Sequence, residues 1–203
     1  MDTNKDCLST IVNLTNHTYF NLNGVLEHDT PSILNHMIQI NSKSFLEVSP
    51  ELIPSGQILS VQDYPALDFT RAREIGDKIS EVSNEGYDHC YVLDEDENNY
   101  QIEGGELKEV VEVYSSLTGI KMKMFTTEPA LHFYTGNHLH SELKNIRNKS
   151  NNPNHVYSKH SGFCLEPQRF PNSVNIDKWK GQCIIDPGKV YKQKTIYQFS
   201  VTK

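Results

Sequence analysis

Apolar and polar positions alternate most cleanly over residues 107–127, LKEVVEVYSSLTGIKMKMFTT, where Val111, Val113, Ile120, Met122 and Met124 stand against Glu112, Lys121 and Lys123. Successive side chains of a strand point to opposite faces, so this pattern predicts two strands, each with one buried and one wet face. Ser115, Ser116 and Gly119 supply the turn chemistry between them, which makes the pair an antiparallel hairpin.

Shorter strand candidates run from His36 to Ile40, Tyr91 to Leu93, Ala130 to Tyr134, Gln182 to Ile185 and Thr195 to Val201, with Pro, Gly, Asn or Asp between them. Helical periodicity is confined to a turn or two near Arg71 to Ile79. An all-β sandwich with long connecting loops is the economical architecture, with no internal repeat. From Gly136 to His160 the chain is polar, rich in Asn, His and Lys, and too long for a passive connection. It reads equally as a loop that serves a site and as a variable surface insertion.

Composition narrows the setting. A chain of 203 residues fits one domain, 1–203, large enough for a sizeable core. Nineteen Lys and Arg against 26 Asp and Glu give a net charge of -7, and no basic run offers a nucleic-acid surface. The start, MDTNKDCLST, has neither the basic nor the apolar region of a leader, and no apolar stretch approaches the ~18 residues of a membrane span. A soluble, cytoplasmic protein is expected. Cys7, Cys90, Cys164 and Cys183 lie far apart with no C-x-x-C pair, so buried reduced thiols are expected rather than a zinc knuckle or redox dithiol. Glycosylation-type triplets at Asn13, Asn16 and Asn148 carry no weight without a secretory signal.

Two segments concentrate hydrogen-bonding side chains beside aromatics: NLTNHTYFNLNG (13–24) and HSGFCLEPQRFPNSVN (160–175). Sugar sites need that mixture, because hydroxyls are met by amides, carboxylates and imidazoles while the apolar sugar faces pack on rings. Taken singly, His17 reads as a structural histidine and Glu166 as a solvated strand-end carboxylate. Asp88 reads as a turn residue after Gly86. Trp179 and Phe170 suit core filling better than sugar stacking. His138 and His140 share strand-like spacing but lack a third metal ligand.

Together the two segments closely resemble the two signature blocks of the aldose 1-epimerases. Pro54-Ser55-Gly56, the stretch Tyr64 to Arg71, Gly86-Tyr87-Asp88-His89, Phe133 to Asn137 and the closing strand Tyr197 to Val201 resemble further landmarks of that family in its order. The resemblance implies a large antiparallel twisted β-sandwich of the galactose mutarotase type. It implies an isomerase that opens and recloses the pyranose ring of aldoses such as galactose and glucose by proton transfers, with no metal or nucleotide cofactor. By the same resemblance Glu166 is the base at the anomeric hydroxyl, His17 the acid at the ring oxygen and Asp88 a ligand of a sugar hydroxyl. His132 stands where relatives can carry a sugar-contacting glutamine, and it lacks an amide's paired donor and acceptor.

The family normally has a substantial segment ahead of the first block, with an Asn-Arg pair and another histidine in the site. Only Met1 to Val12 precedes the block here, so an incomplete site is expected. Two other readings stay open: a sugar-binding or regulatory relative without turnover, and a hexose-6-phosphate 1-epimerase suggested by Arg169 and Arg71. The second suffers from the lack of an Arg or Lys cluster in either block.

Overall fold

A computed structural model describes residues 8–24, 32–83, 86–94, 104–140 and 157–202. Its strands are β1 (Thr10–Ile11), β2 (Tyr19–Phe20), β3 (His36–Ile40), β4 (Ser44–Val48), β5 (Pro54–Ser60), β6 (Arg73–Glu74), β7 (Asp88–Val92), β8 (Lys108–Ser115), β9 (Ile120–Thr126), β10 (Ala130–Tyr134), β11 (Phe163–Gln168), β12 (Ile184–Ile185) and β13 (Thr195–Val201). They form a six-stranded sheet in the order β2-β11-β10-β7-β4-β5 and a five-stranded sheet in the order β13-β9-β8-β3-β6; β1 and β12 pair separately. Every pairing is antiparallel.

The expected hairpin is β8–β9. Val111, Val113, Met122 and Met124 are buried, while Lys121 and Lys123 reach Glu112 and Glu109 at 2.8 Å across the wet face. Such exposed pairs contribute only about 0–1 kcal/mol, so the apolar face decides the register. A bulge between Glu109 and Val111 lets neighbouring Val110 and Val111 both turn inward. The turn needs glycine: Gly119 has φ +73°, and a Cβ there would meet the Thr202 carbonyl oxygen at 2.8 Å.

The two sheets face each other across one core. Ile38, Ile40, Val113, Met122 and Met124 of the five-stranded sheet meet Tyr91, Leu131, Phe133, Phe163 and Leu165 of the six-stranded sheet. Since neighbouring residues point oppositely, Asp88, Cys90, His132, Tyr134, Cys164 and Glu166 lie on the outer face of the six-stranded sheet. At one end that face is capped by Phe170 and Trp179, packed edge to face at 4.9 Å over Cys90, Val92 and Ala130. Both rings are core, as expected, and the other end of the face stays open.

Three elements differ from their sequence patterns. Near Arg71 to Ile79 there is no α-helix: Arg73 and Glu74 pair with β3, a turn follows, and a single 3₁₀ turn occupies Ile79–Glu81. The Arg73 guanidinium donates to the carbonyls of Ala66 and Asp68 and lies 3.9 Å from the Phe69 ring, so tertiary bonds override the local period. The strand expected at Tyr91 to Leu93 begins three residues earlier, at Asp88. Of Gln182 to Ile185 only the last two residues are strand; Lys180–Gln182 makes a 3₁₀ turn, and Gln182 Oε1 accepts the Phe170 N–H. The pattern also missed β4, β5 and β11. In the polar stretch from Gly136 to His160, residues 141–156 lie outside the described residues, as does Cys7. Cys90, Cys164 and Cys183 are buried free thiols.

Candidate active site

Cross-strand register builds the site as rungs on the open face. One rung runs Asp88, Tyr134, Cys164, Tyr19 across β7, β10, β11 and β2; the next runs Cys90, His132, Glu166. All four residues named from the sequence, His17, Asp88, His132 and Glu166, therefore come together, although they are spread over 150 positions of chain.

His17 sits in the irregular segment leading into β2. Reciprocal bonds hold this segment to the end of β11: Asn13 Nδ2 donates to the Arg169 carbonyl at 3.1 Å, and Asn13 Oδ1 accepts the Arg169 N–H at 3.0 Å. Gln193 Nε2 donates to the Leu14 carbonyl, and Asn16 Oδ1 accepts the Thr18 N–H in an Asx turn. The His17 ring then stacks on Tyr19 at 5.2 Å. Further along, Asn21 Nδ2 donates to the Ser161 carbonyl, and Asn23 donates to Ser32 and Asn35 while accepting from Ser115. Asn13, Asn16, Asn21 and Asn23 of this block thus hold its backbone in place.

His17 Nε2 lies 3.4 Å from Glu166 Oε1, with the imidazole half exposed and the carboxylate 10% exposed. Glu166 is not a solvated strand-end group. Burial raises its pKa; the nearby His132 and His17 oppose that shift, and Asp88 reinforces it. A carboxylate raised in this way is a stronger proton acceptor than a solvated one.

His132 Nε2 and Asp88 Oδ1 are 2.6 Å apart. Burial works against charge on both, but their mutual hydrogen bond prevails. Asp88 ends below the usual carboxylate range, with help from His132, His89 and His138, and His132 is raised to about 10 by Asp88 and Cys90. The pair is an imidazolium–carboxylate at neutral pH. Asp88 itself is placed by a network behind β7: Thr135 Oγ1 accepts the Tyr87 N–H, and Asn137 Nδ2 donates to the Tyr87 carbonyl.

The rungs carry three groups that sequence reasoning passed over: Tyr19, Tyr134 and Cys164. Cys164 Sγ lies 3.5 Å from His17 Nδ1, and the Tyr134 ring meets both His17 and Tyr19 edge-on. Their signal was the period of two itself, since Cys164 is two before Glu166 and Tyr134 two after His132. Clefts flank the rungs, about 370 Å³ beside Gly86, Asp88 and His89 and about 450 Å³ beside Tyr19, Leu139 and Tyr157. His138 and His140 are both exposed. Arg169 is buried with Nε 3.2 Å from Glu128 Oε2, and Arg71 is exposed.

An antiparallel sandwich with an imidazole and a carboxylate opposed on an open sheet face is an arrangement chemically able to exchange protons with a small polar molecule. The chain belongs to the aldose 1-epimerase family, whose model matches residues 2–198. It is 37% identical to the galactose mutarotase of Sus scrofa over 193 residues, covering 95% of this chain and 51% of that protein. It is 32% identical to the aldose 1-epimerase of Escherichia coli K12, covering 93% of this chain and 50% of that protein. The chain therefore spans about half the length of the curated relatives it matches. Among solved structures, the GalM/aldose epimerase homologue from C. elegans superposes with a TM-score of 0.74 at 22% identity, over 96% of this chain and 53% of that one. The galactose 1-epimerase of Lactobacillus acidophilus gives 0.68 at 22% identity, over 97% and 51%. The galactose mutarotase-like sandwich is thus the fold of this chain.

Proposed function

We propose that this chain carries the acid–base centre of an aldose 1-epimerase, interconverting the α and β anomers of neutral aldohexoses such as galactose and glucose. The observation that carries the reading is the opposition of His17 and Glu166 at 3.4 Å. The reaction needs a base at the anomeric hydroxyl and an acid at the ring oxygen, and these oxygens are bonded to the same carbon. An acid and a base that serve two such close oxygens must lie within hydrogen-bond reach of one small region, and the 3.4 Å separation satisfies that.

In the forward step Glu166 accepts the anomeric hydroxyl proton and His17 donates a proton to the ring oxygen. The C1–O5 bond then breaks and the open-chain aldehyde forms. Rotation about the C1–C2 bond presents the other carbonyl face to the C5 hydroxyl. Reclosure returns one proton to His17 and takes the other from Glu166, so both groups finish as they began. Asp88 is assigned to a sugar hydroxyl. Since the His132 Nε2 is engaged by Asp88, His132 acts chiefly through that carboxylate, holding it ionised and aimed. Proton transfers alone complete the cycle, without a cofactor.

A neutral sugar is preferred over a sugar phosphate because Arg169, the one arginine within either block, is sunk against Glu128. A cytoplasmic setting suits the three free buried thiols. No helix among the described residues is long and apolar enough to cross a membrane. Polarimetry of freshly dissolved α-D-galactose tests the reading. Mutarotation faster than buffer is expected, and more turnover on glucose 6-phosphate than on galactose would reverse the substrate assignment.

A further inference from the structure

Three side chains at the centre of the rungs have a property that acid–base chemistry does not use. Among the described residues, His17, Cys164 and Glu166 form the one trio offering nitrogen, sulfur and oxygen ligand atoms that all lie within 4.8 Å of one another. We propose that these three form a binding site for a borderline-soft divalent cation, zinc above all, and that its occupancy shuts the acid–base centre.

Ligand chemistry suits the ion. Zinc takes thiolate sulfur at about 2.3 Å, imidazole nitrogen at about 2.0–2.1 Å and carboxylate oxygen at about 2.0–2.2 Å, and three protein ligands plus one open position make a common zinc set. Two such bonds span at most about 4.4 Å, so the trio must draw together slightly. The means is present. Cys164 and Glu166 stand on alternate positions of one rigid strand, whereas the His17 imidazole is 54% exposed and joins from a loop. Its two ring nitrogens already lie 3.5 Å from the sulfur and 3.4 Å from the carboxylate, and a swing of the ring brings either one to a shared ion.

The ion must displace the Cys164 proton, M²⁺ plus thiol giving metal thiolate plus H⁺, against a burial that favours the protonated thiol. Thiolate and carboxylate together then neutralise the cation. Among the described residues, the other titratable groups that act on the trio are the His132–Asp88 pair and the phenols of Tyr19, Tyr134 and Tyr197, with His138 beyond. An ion held there occupies the Glu166 lone pair and the His17 nitrogen, and inhibition follows only if those residues are the base and acid proposed above. Binding itself does not rest on that reading.

Cobalt(II) titration of the full chain reports on the sulfur ligand directly. The expected result is a thiolate-to-cobalt charge-transfer absorption in the near ultraviolet that saturates at a single equivalent and is displaced by zinc. Cys164→Ala abolishes the band. His17→Ala, a change at an exposed loop position, lowers zinc affinity roughly tenfold or more, measured by competition with a chromogenic chelator, with circular dichroism unchanged. Absence of the band, or the same band and affinity in both variants, overturns the proposal by placing the metal on other thiols or on His138 and His140. The optical and chelator signals need no turnover, so a chain that binds cobalt as described but leaves galactose untouched keeps the metal site and loses only the catalytic reading.

Discussion

In the proposed reaction Glu166 and His17 divide the chemistry unequally. An amide in place of Glu166 cannot accept the anomeric proton, so Glu166→Gln is expected to lower the mutarotation rate by about 10²–10⁴. His17→Asn is expected to cost less, because solvent can supply part of the proton to the ring oxygen. Its far-ultraviolet circular dichroism should match the parent, since His17 lies outside every strand. The rate should also carry an acid limb. As Glu166 must be ionised to act and burial raises its pKa, activity is lost as pH falls through a value above the ordinary carboxylate range. A pH–rate profile flat down to about pH 4 would contradict that placement. At this scale the sequence was informative: the four named residues converge, whereas Tyr19, Tyr134 and Cys164 were not singled out for the site. Cys164 was hidden because Phe163, Cys164, Leu165 and Glu166 are all buried, so no wet face marks the strand that carries the base.

Strands were legible where their alternation or the turn residues bounding them were regular. The hairpin β8–β9 and the lone strands β3, β10 and β13 show a clear pattern or clean boundaries, and they appear where expected. By contrast β4 and β5 have irregular pairing with a register shift between Leu46 and Val48, which erases a regular period. The segment near Arg71 to Ile79 took a helical look from residues whose placement depends on the Arg73 contacts, a tertiary fact that local sequence does not contain. The element most exposed to a single substitution is the start of β7. A Cβ on Gly86 would fall 2.0 Å from Asn137 Oδ1 and 2.8 Å from Thr135 Oγ1, the groups that fix Tyr87 just before Asp88. Gly86→Ala is expected to destabilise the chain by about 1–3 kcal/mol and to weaken galactose binding through a displaced Asp88. Thermal denaturation and protein-detected NMR titration measure the two effects, and an unchanged melting temperature would show that the network yields without strain.

Across the whole molecule, buried histidines couple stability to acid. His36 donates from Nδ1 to the Ile33 carbonyl and accepts the Leu22 N–H at Nε2, an arrangement open only to the neutral ring. Burial lowers its pKa to about 4, against the opposing pull of the Ile33 carbonyl; His89 is likewise lowered to about 4, by burial and the His132 charge. Between the unfolded value near about 6.5 and the folded value, the unfolded chain binds protons that the folded chain refuses, so stability falls as pH drops. Glu128 works the other way. Burial raises its pKa to about 7 despite the Arg169 charge, so its contribution grows as pH drops through the same window. His36→Gln removes one acid-sensitive group, and its melting temperature should fall less steeply than the parent's between pH 6.5 and pH 4. Equal slopes would mean that His36 accepts a proton without loss of its bonds. The central claim, that opposed His17 and Glu166 catalyse anomer exchange, is tested most directly by polarimetry of α-D-galactose with the parent chain and Glu166→Gln side by side, both verified as folded. The account predicts a parent rate above buffer and a variant rate close to it; a folded Glu166→Gln protein as fast as the parent would contradict it.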